Sequence, residues 1–342
     1  MRYQALVVVP TLNEAATIEA VLAELRQGAD AQRGLCTVVV DGGSSDGTPD
    51  TVRRLAEREP HLHLLHNPKR LQSAAVNLAA RTFGGDAPVL VRCDAHAHYP
   101  PGFISALLQS LAEHGADAVV VPMDTAGDTC LRRAIAWVSD TAIGSGGSAH
   151  RGGRSSGFVD HGHHAAFRMD SFVAAGGYDE SFSHNEDAEL DCRQRALGKR
   201  IWLDAAIRLR YLPRASLGGL WRQYFNYGRG RSRTVRKHPQ SLRLRQFLVP
   251  AHLAASCLAI LAAPWMPLAL SWPAFYLALL AFTGVRLAWR HRSACGLLAA
   301  PAAFVMHTAW ACGFGAGMVS LREPSWRAEM ARPLELQPAS SP

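Results

Sequence analysis

Apolar and polar positions divide this chain into two regimes that meet near Arg245. Up to that point, short apolar runs alternate with longer stretches whose apolar residues recur at helical spacing. Residues 5–10 (ALVVVP) read as a first strand ended by a proline, and 14–27 as a helix capped from Thr11 or Asn13. A second strand at 35–40 runs into DGGSSDGT at 41–48, a tight turn before a helix that reaches residue 59. A short strand at 61–66, a helix at 71–82, a buried strand entering a polar loop at 89–100, a helix at 101–114 and a strand at 117–122 follow. After a Gly- and Ser-dense interval at 144–160, which reads as a surface loop or a mobile gate, regular structure returns over 166–202. There Gly176-Gly177 marks a turn and 186–197 a helix with Leu190 and Leu197 inward. This alternation predicts an α/β domain around a mostly parallel sheet.

Beyond Arg245 come three apolar stretches, roughly 247–263, 268–288 and 294–319. A bilayer span needs about 20 apolar residues, so these read as three transmembrane helices. Pro264-Trp265-Met266-Pro267 makes the first connection a tight hairpin with an interfacial tryptophan. Arg243 and Arg245, then Arg286, Arg290, His291 and Arg292, place the N-terminal domain and the second connection on the cytoplasmic side. The expected division is a domain at 1–245, a membrane region at 246–320, and a polar tail at 321–342 that emerges on the opposite side if all three segments span.

Charge and cysteine usage narrow the partners. The net charge of +8 is concentrated between Arg208 and Arg245, beside the apolar region. It reads as a membrane-side anchor and not a nucleic-acid surface, since no zinc module or aromatic-interleaved basic motif accompanies it. The seven cysteines stand singly, which argues against a disulfide framework or a zinc–thiolate site and for a reducing compartment. The apolar run at 6–9 is cut by Pro10 and reads as a core strand, not a signal peptide.

The acids that carry chemistry follow strands. Open α/β sheets bind ligands at the carboxyl ends of their strands, where Asp41 and Asp94 stand, while Glu186-Asp187 opens a helix. Each has a plainer alternative in a helix cap or N-terminal charge stabilisation. Asp94 and His96, two residues apart, suit an oxygen-liganded divalent ion bridging a diphosphate. Asp187 suits a general base for a hydroxyl. Gln223, Arg229 and Arg231 lie in WRQYFNYGRGRSR at 221–233, where arginines beside aromatics clamp phosphate or snorkel at the bilayer edge. Neither a Walker loop nor a GxGxxG fingerprint occurs.

In order, VVVPTLNE at 7–14, VVVDGGSSDGT at 38–48, RCDAHAHYP at 92–100, GGYDESFSHNEDAELDCR at 176–193 and WRQYFNYGRGR at 221–231 resemble the motifs of family 2 glycosyltransferases with the GT-A fold. In particular they resemble the membrane-attached transferases of succinoglycan biosynthesis. The likeness covers residues 5–245. It implies a Rossmann-like sheet with flanking helices, followed by transmembrane helices at the inner membrane of a bacterium. It implies that Pro10, Glu14 and Asp41 hold the nucleotide, and that Asp94 and His96 place Mg²⁺ or Mn²⁺ on the diphosphate. Asp187 then deprotonates the acceptor with Glu186 in support, and Gln223 and Arg229 hold diphosphate or close the site. Asn67, Arg70 and Asn77 also resemble family positions.

Two departures stand out. Gly42 replaces the second acid that many relatives carry after Asp41, and DHGHHAAFR at 160–168 is histidine-rich where relatives have a threonine, a proline and an aromatic. His161, His163 and His164 therefore bear on donor or acceptor identity, with His164 taken as a substrate contact; an irregularly spaced zinc site is the other reading. The implied activity is an inverting transfer of a sugar, from a UDP-linked hexose, to a hydroxyl of a polyprenyl-diphosphate-linked saccharide in exopolysaccharide synthesis, alongside polysaccharide assembly proteins. The competing readings are a processive synthase, a polyprenyl-phosphate glycosyltransferase and a non-catalytic subunit of an assembly complex.

Overall fold

The computed structural model of the 342-residue chain describes residues 2–32, 34–125, 127–146 and 155–338. The interval at 147–154, with Arg151 and Arg154 of the anticipated gate, lies outside them. The chain separates into two compact units. The first comprises Met1–Asp124, Gly152–Tyr211 and Trp326–Pro342, and the second Thr125–Arg151 and Leu212–Ser325.

In the first unit the apolar runs become strands, because β-branched residues at successive positions fit a sheet covered on both faces. These are β1 (Ala5–Thr11), β2 (Leu35–Asp41), β3 (Leu62–His66), β4 (Val89–Arg92), β5 (Ala97–His98), β6 (Ala118–Val120), β7 (Met123–Thr125), β8 (Gly157–Val159), β9 (His164–Arg168), β10 (Ile201–Leu203) and β11 (Leu209–Tyr211). Among the described residues, eight form one sheet in the order β3-β2-β1-β4-β9-β6-β10-β8, and β5-β11-β7 form a small second sheet. The β3-β2-β1-β4 half is parallel, whereas β9 runs antiparallel between β4 and β6. The sheet is thus mixed, with its parallel half supplying strand ends as the sequence anticipates.

Helices α1 (Ile18–Glu24), α2 (Thr48–Ala56), α3 (Gln72–Phe83) and α4 (Phe103–Glu113) connect these strands. The period of two along β1 sorts its side chains between two buried layers. Val7 and Val9 pack with Ile18, Leu22, Phe103 and Leu107, while Leu6 and Val8 pack with Val76, Phe167, Phe172 and Leu190. The first helix begins at Ile18 rather than residue 14. The backbone N–H groups of Asn13, Glu14 and Ala15 are instead taken by Ser44, Thr48 and Asp46, so the chain there belongs to a loop.

The tail departs most from expectation. Leu334 is buried in the same layer as Phe172 and Tyr178, its N–H bonds the Val173 carbonyl at 2.9 Å, and Gln337 N–H bonds the Arg81 carbonyl at 2.7 Å. The end of the chain is therefore part of the first unit and not the separate tail expected.

The second unit is helical: α5 (Cys130–Ser139), α6 (Ala142–Ser145), α9 (Leu217–Lys237), α10 (Arg245–Ala262), α11 (Ser271–Arg290) and α12 (Ala299–Ser320); α7 (Met169–Ala174) and α8 (Glu186–Ala196) belong to the first. Backbones of α9 and α12 meet closely. A β-carbon at Gly228 would overlap the Trp310 carbonyl, and one at Gly313 the Phe225 carbonyl. Among the described residues, Pro267–Arg290 and Ala294–Ser320 are long and apolar enough to cross a bilayer. The first of the three anticipated spans is a shorter apolar helix, Gln246–Ala262, with Pro250 inside it. Two candidate spans thus replace three. Cys130 and Cys295 form a disulfide across 165 positions, against the reading of seven unpaired thiols; so wide a separation leaves no local signature.

Candidate active site

The ends of β1 and β2, the loops after β1, β3 and β4 and the start of α8 carry Pro10, Asp41, Glu14, Arg70, Asp94, His96, Glu186 and Asp187, whereas Asn77, His164, Gln223 and Arg229 lie on other elements. Three of these turns contain non-glycine residues in the left-handed region: Asn13 at φ 59°, Arg70 at φ 57° and Asn185 at φ 69°. Such conformations cost energy and concentrate at functional sites. Asn185 immediately precedes Glu186, whose helix therefore starts abruptly and presents Glu186 and Asp187 in its first turn.

Arg92, the last residue of β4, is the organising group. Its side chain is 6 % exposed, with Nη1 donating to Asp187 Oδ1 at 2.5 Å and Nη2 to Asp94 Oδ1 at 3.4 Å. One guanidinium thereby joins the two acids that stand 93 positions apart. Tyr178 Oη donates to the same Asp187 oxygen at 3.0 Å, and Gln72 Nε2 to Asp94 Oδ1 at 3.0 Å. The Asp94 N–H donates to Tyr99 Oη at 2.6 Å, fixing the backbone of the loop. Burial alone would raise the Asp94 carboxyl, but Arg92, His163 and His96 together hold it below its ordinary value, so it is ionised at neutral pH.

Histidine placement follows. His96 is exposed, with Nδ1 3.1 Å from Glu14 Oε1, so Glu14 from the β1 loop and His96 from the β4 loop meet. His163 Nε2 lies 3.5 Å from Asp94 Oδ2, and His161 Nδ1 lies 2.6 Å from Asp191 Oδ2 on α8. Of the 161–164 histidines, His163 is the one shown at Asp94; the side chain of His164 lies outside the described residues. Among the described residues, no group of three or more His, Cys, Asp or Glu side chains forms a ready-made metal cage.

Asp41 has a different environment. Its Oδ2 accepts from the N–H groups of Gly43 (2.8 Å) and Ser44 (2.9 Å), and its Oδ1 from Ser44 Oγ (2.5 Å) and Thr11 Oγ1 (3.3 Å). These four donors use the acceptor directions of a carboxylate. Burial raises its pKa and the Ser44, Gly43 and Thr11 bonds outweigh it, leaving it lowered. Asp41 therefore shapes the 41–44 loop. Pro10 stands half-buried at the end of β1 beside Val40. Arg70 is exposed, with Nη2 3.4 Å from the Gly43 carbonyl, so its cation lies beside that loop.

Asn77, expected at the substrate, is instead buried against the 177–180 turn. Its Nδ2 donates to the Tyr178 carbonyl (2.8 Å) and Glu180 Oε1 (2.9 Å), and its Oδ1 accepts from the Tyr178 N–H (2.8 Å). It clamps the turn at Gly177, where a β-carbon would strike the Asn77 oxygen. Asn67 also holds a loop, donating to the Leu71 carbonyl at 2.8 Å. Gln223 and Arg229 lie on α9 of the second unit, where Gln223 Nε2 donates to Tyr227 Oη at 2.9 Å and Arg229 is exposed. Sequence reasoning missed Arg92, Tyr178, Gln72 and Tyr99. The available signal was a lone arginine ending the apolar run VLVR, two residues before Asp94.

Glu186 is buried, and its pKa is pushed up to about 7 by burial and the charge of Asp187, with Arg92 opposing. The folded chain therefore keeps a proton that the unfolded chain loses above its ordinary value of 4.5. Stability should fall by about 3 kcal/mol as pH rises from that value to 7, then level off. E186Q is expected to flatten this slope in denaturant titrations at a series of pH values; an unchanged slope would remove Glu186 as its source.

Residues 6–174 match the glycosyl transferase family 2 model. The chain is 44 % identical, over 93 % of its length and 96 % of the relative, to succinoglycan biosynthesis protein ExoA of Rhizobium meliloti (strain 1021). It is 29 % identical to the undecaprenyl-phosphate mannosyltransferase of Micrococcus luteus, over 39 % of this chain and 55 % of that one. Among solved structures, mannosyltransferase PcManGT from Pyrobaculum calidifontis, in complex with GDP-Man and Mn²⁺, superposes with a TM-score of 0.59. That alignment covers 94 % of this chain and 89 % of the other at 24 % identity, a likeness of fold.

Proposed function

This chain belongs to glycosyl transferase family 2, and from that premise we propose that it is an inverting, metal-assisted transferase. In this reading it moves a hexose from a UDP-sugar to a hydroxyl of a polyprenyl-diphosphate-linked saccharide at the cytoplasmic face of the inner membrane. The observation that carries the reading is Arg92 spanning Asp94 and Asp187, because it sets a phosphate-side acid beside a hydroxyl-side acid.

The residues fit a divalent ion shared with substrate. Asp94 is ionised and offers Oδ2 facing His163 rather than a strong donor, and His96 lies close enough to affect its charge. Two protein ligands suit Mg²⁺ or Mn²⁺, which retain waters and bind phosphate oxygens. Bound there by Asp94 and His96, the ion would neutralise the departing diphosphate. The acceptor hydroxyl attacks the anomeric carbon as the carbon–oxygen bond to the diphosphate breaks. Its proton passes to Asp187, whose orientation is set by Arg92 and Tyr178. A single displacement inverts the anomeric centre. Asp41 keeps the loop beneath the nucleotide in shape, and Arg70 adds positive charge beside it.

The likeness to an undecaprenyl-phosphate mannosyltransferase over part of the chain supports a second reading, with a polyprenyl phosphate itself as acceptor. Transfer from a panel of UDP- and GDP-sugars to lipid-linked saccharides and to polyprenyl phosphate, with Mg²⁺ or Mn²⁺ and mass-spectrometric readout, separates the two. D94A is expected to weaken metal-dependent nucleotide binding by about tenfold or more; unchanged affinity would remove Asp94 as the ligand.

A further inference from the structure

We propose that the membrane-embedded element is a helical hairpin, α10–α11, entering and leaving from the catalytic side, and that α12 does not cross the bilayer although it is long and apolar enough to do so. The inference rests on the membrane association in the functional reading above, and follows from chain reach. Cys130 lies six residues after Asp124, and Trp326 six residues after Ser320; Asp124 and Trp326 both belong to the first unit. An extended chain gains about 3.5 Å per residue, so Cys130 and Ser320 each stay within about 20 Å of that unit. The hydrocarbon layer is about 30 Å thick. Neither end can reach the far surface.

Contacts within the second unit extend this placement. Cys295 is bonded to Cys130, with Cα atoms 5.0 Å apart, and His291 stacks on Trp137 of α5 at 4.1 Å. The α11–α12 connection therefore lies on the catalytic side, and the 5.0 Å approach places it there whether the sulfurs are bonded or reduced. Ala299 opens α12 four residues later. Helix α12 packs along α9 in the same direction, and the Leu217 start of α9 lies six residues after Tyr211 of the first unit. Thus α12 both begins and ends on that side. Its burial agrees: Ala299, Ala302, Ala303 and Met306 are covered by protein, including α5. The start of α10 is held there too. Arg233 pairs with Glu323, three residues from Trp326, and Arg231 Nη2 donates to the Ser241 carbonyl at 2.5 Å, four residues before α10 begins.

What remains is a helical excursion that leaves at α10, turns at Pro264–Pro267 and returns along α11. Its surface is apolar and uncovered. Trp265 is 85 % and Leu268 83 % exposed, and Leu258, Leu261, Phe275 and Phe282 are exposed as well. In water such a patch would be costly, at about 25 cal/mol per Å². A lipid bilayer is the occupant that fits, because Arg243, Arg286, Arg290 and Arg292 stand at the open end as headgroup-side anchors.

The test uses the full-length chain carrying one protease-cleavable epitope after Ser293 and another after Pro342. Both should be cut in inverted inner-membrane vesicles and protected in intact spheroplasts; cleavage of either from the outer face would overturn the proposal. The paired change L268E with F275E should shift the chain from carbonate-washed membranes to the supernatant by about tenfold, while F304E, in the second turn of α12, should not. Equal release by F304E would place α12 in the apolar phase and refute the assignment. An unaltered chain found wholly in the supernatant would overturn the membrane association itself. These readouts need no sugar transfer, so a wrong donor or acceptor would leave them unchanged.

Discussion

Replacing Arg92 with methionine is expected to destabilise the first unit by about 3–5 kcal/mol, the range for removing one partner of a buried ion pair. The side chain it replaces is 6 % exposed and holds two carboxylates, so the variant strips Asp187 and Asp94 of the guanidinium they share. The loss has a signature beyond its size. Because the penalty arises from uncompensated negative charge, R92M should lose less stability at acidic pH, where those carboxyls take up protons. The double variant R92M/D187N should recover part of the loss, since it removes one of the two stranded charges. Chemical denaturation of the detergent-solubilised protein measures both effects. A loss below about 1 kcal/mol, typical of an exposed pair, would mean that Arg92 does not bridge the acids as described.

D187N is expected to lower turnover by about 10²- to 10⁴-fold, the contribution of a positioned general base, while nucleotide affinity changes little. Asparagine keeps an oxygen that accepts from Arg92 and Tyr178, so the shape of the site persists while the proton acceptor is lost. Single-turnover transfer combined with nucleotide-binding titration separates the two effects. Full turnover by D187N would assign the base elsewhere; a matching collapse of nucleotide binding would make Asp187 a structural acid.

The alternation of apolar runs and helical stretches was legible because the parallel half of the sheet is buried on both faces, leaving runs such as LVVV with no polar positions. The acids at strand ends were legible for a related reason: a charged residue ending such a run stands at the mouth of the sheet. The same logic applies to Arg92, but an arginine so placed reads equally well as the edge of a strand, and its partner Asp187 is remote in sequence. Asn77 illustrates the opposite failure. A polar residue in the alanine-rich helix α3 was assigned to substrate, yet it satisfies backbone groups of the 177–180 turn that only folding brings near. The 14–27 helix failed because its first N–H groups found side-chain acceptors in the 44–48 loop, a long-range competition that periodicity does not register. The tail carries one buried leucine and little pattern, so nothing in it announces a docking site.

That docking has a consequence for synthesis. A ribosome releases Leu334 after every strand of the first unit and after the apolar helices α10 to α12. Until then the apolar layer between α3 and α7 lacks its final side chain, and the bonds from the Leu334 and Gln337 N–H groups to the Val173 and Arg81 carbonyls are unmade. Completion thus waits on the second unit: the nascent first unit closes only once the helices of Leu212–Ser325 have been made.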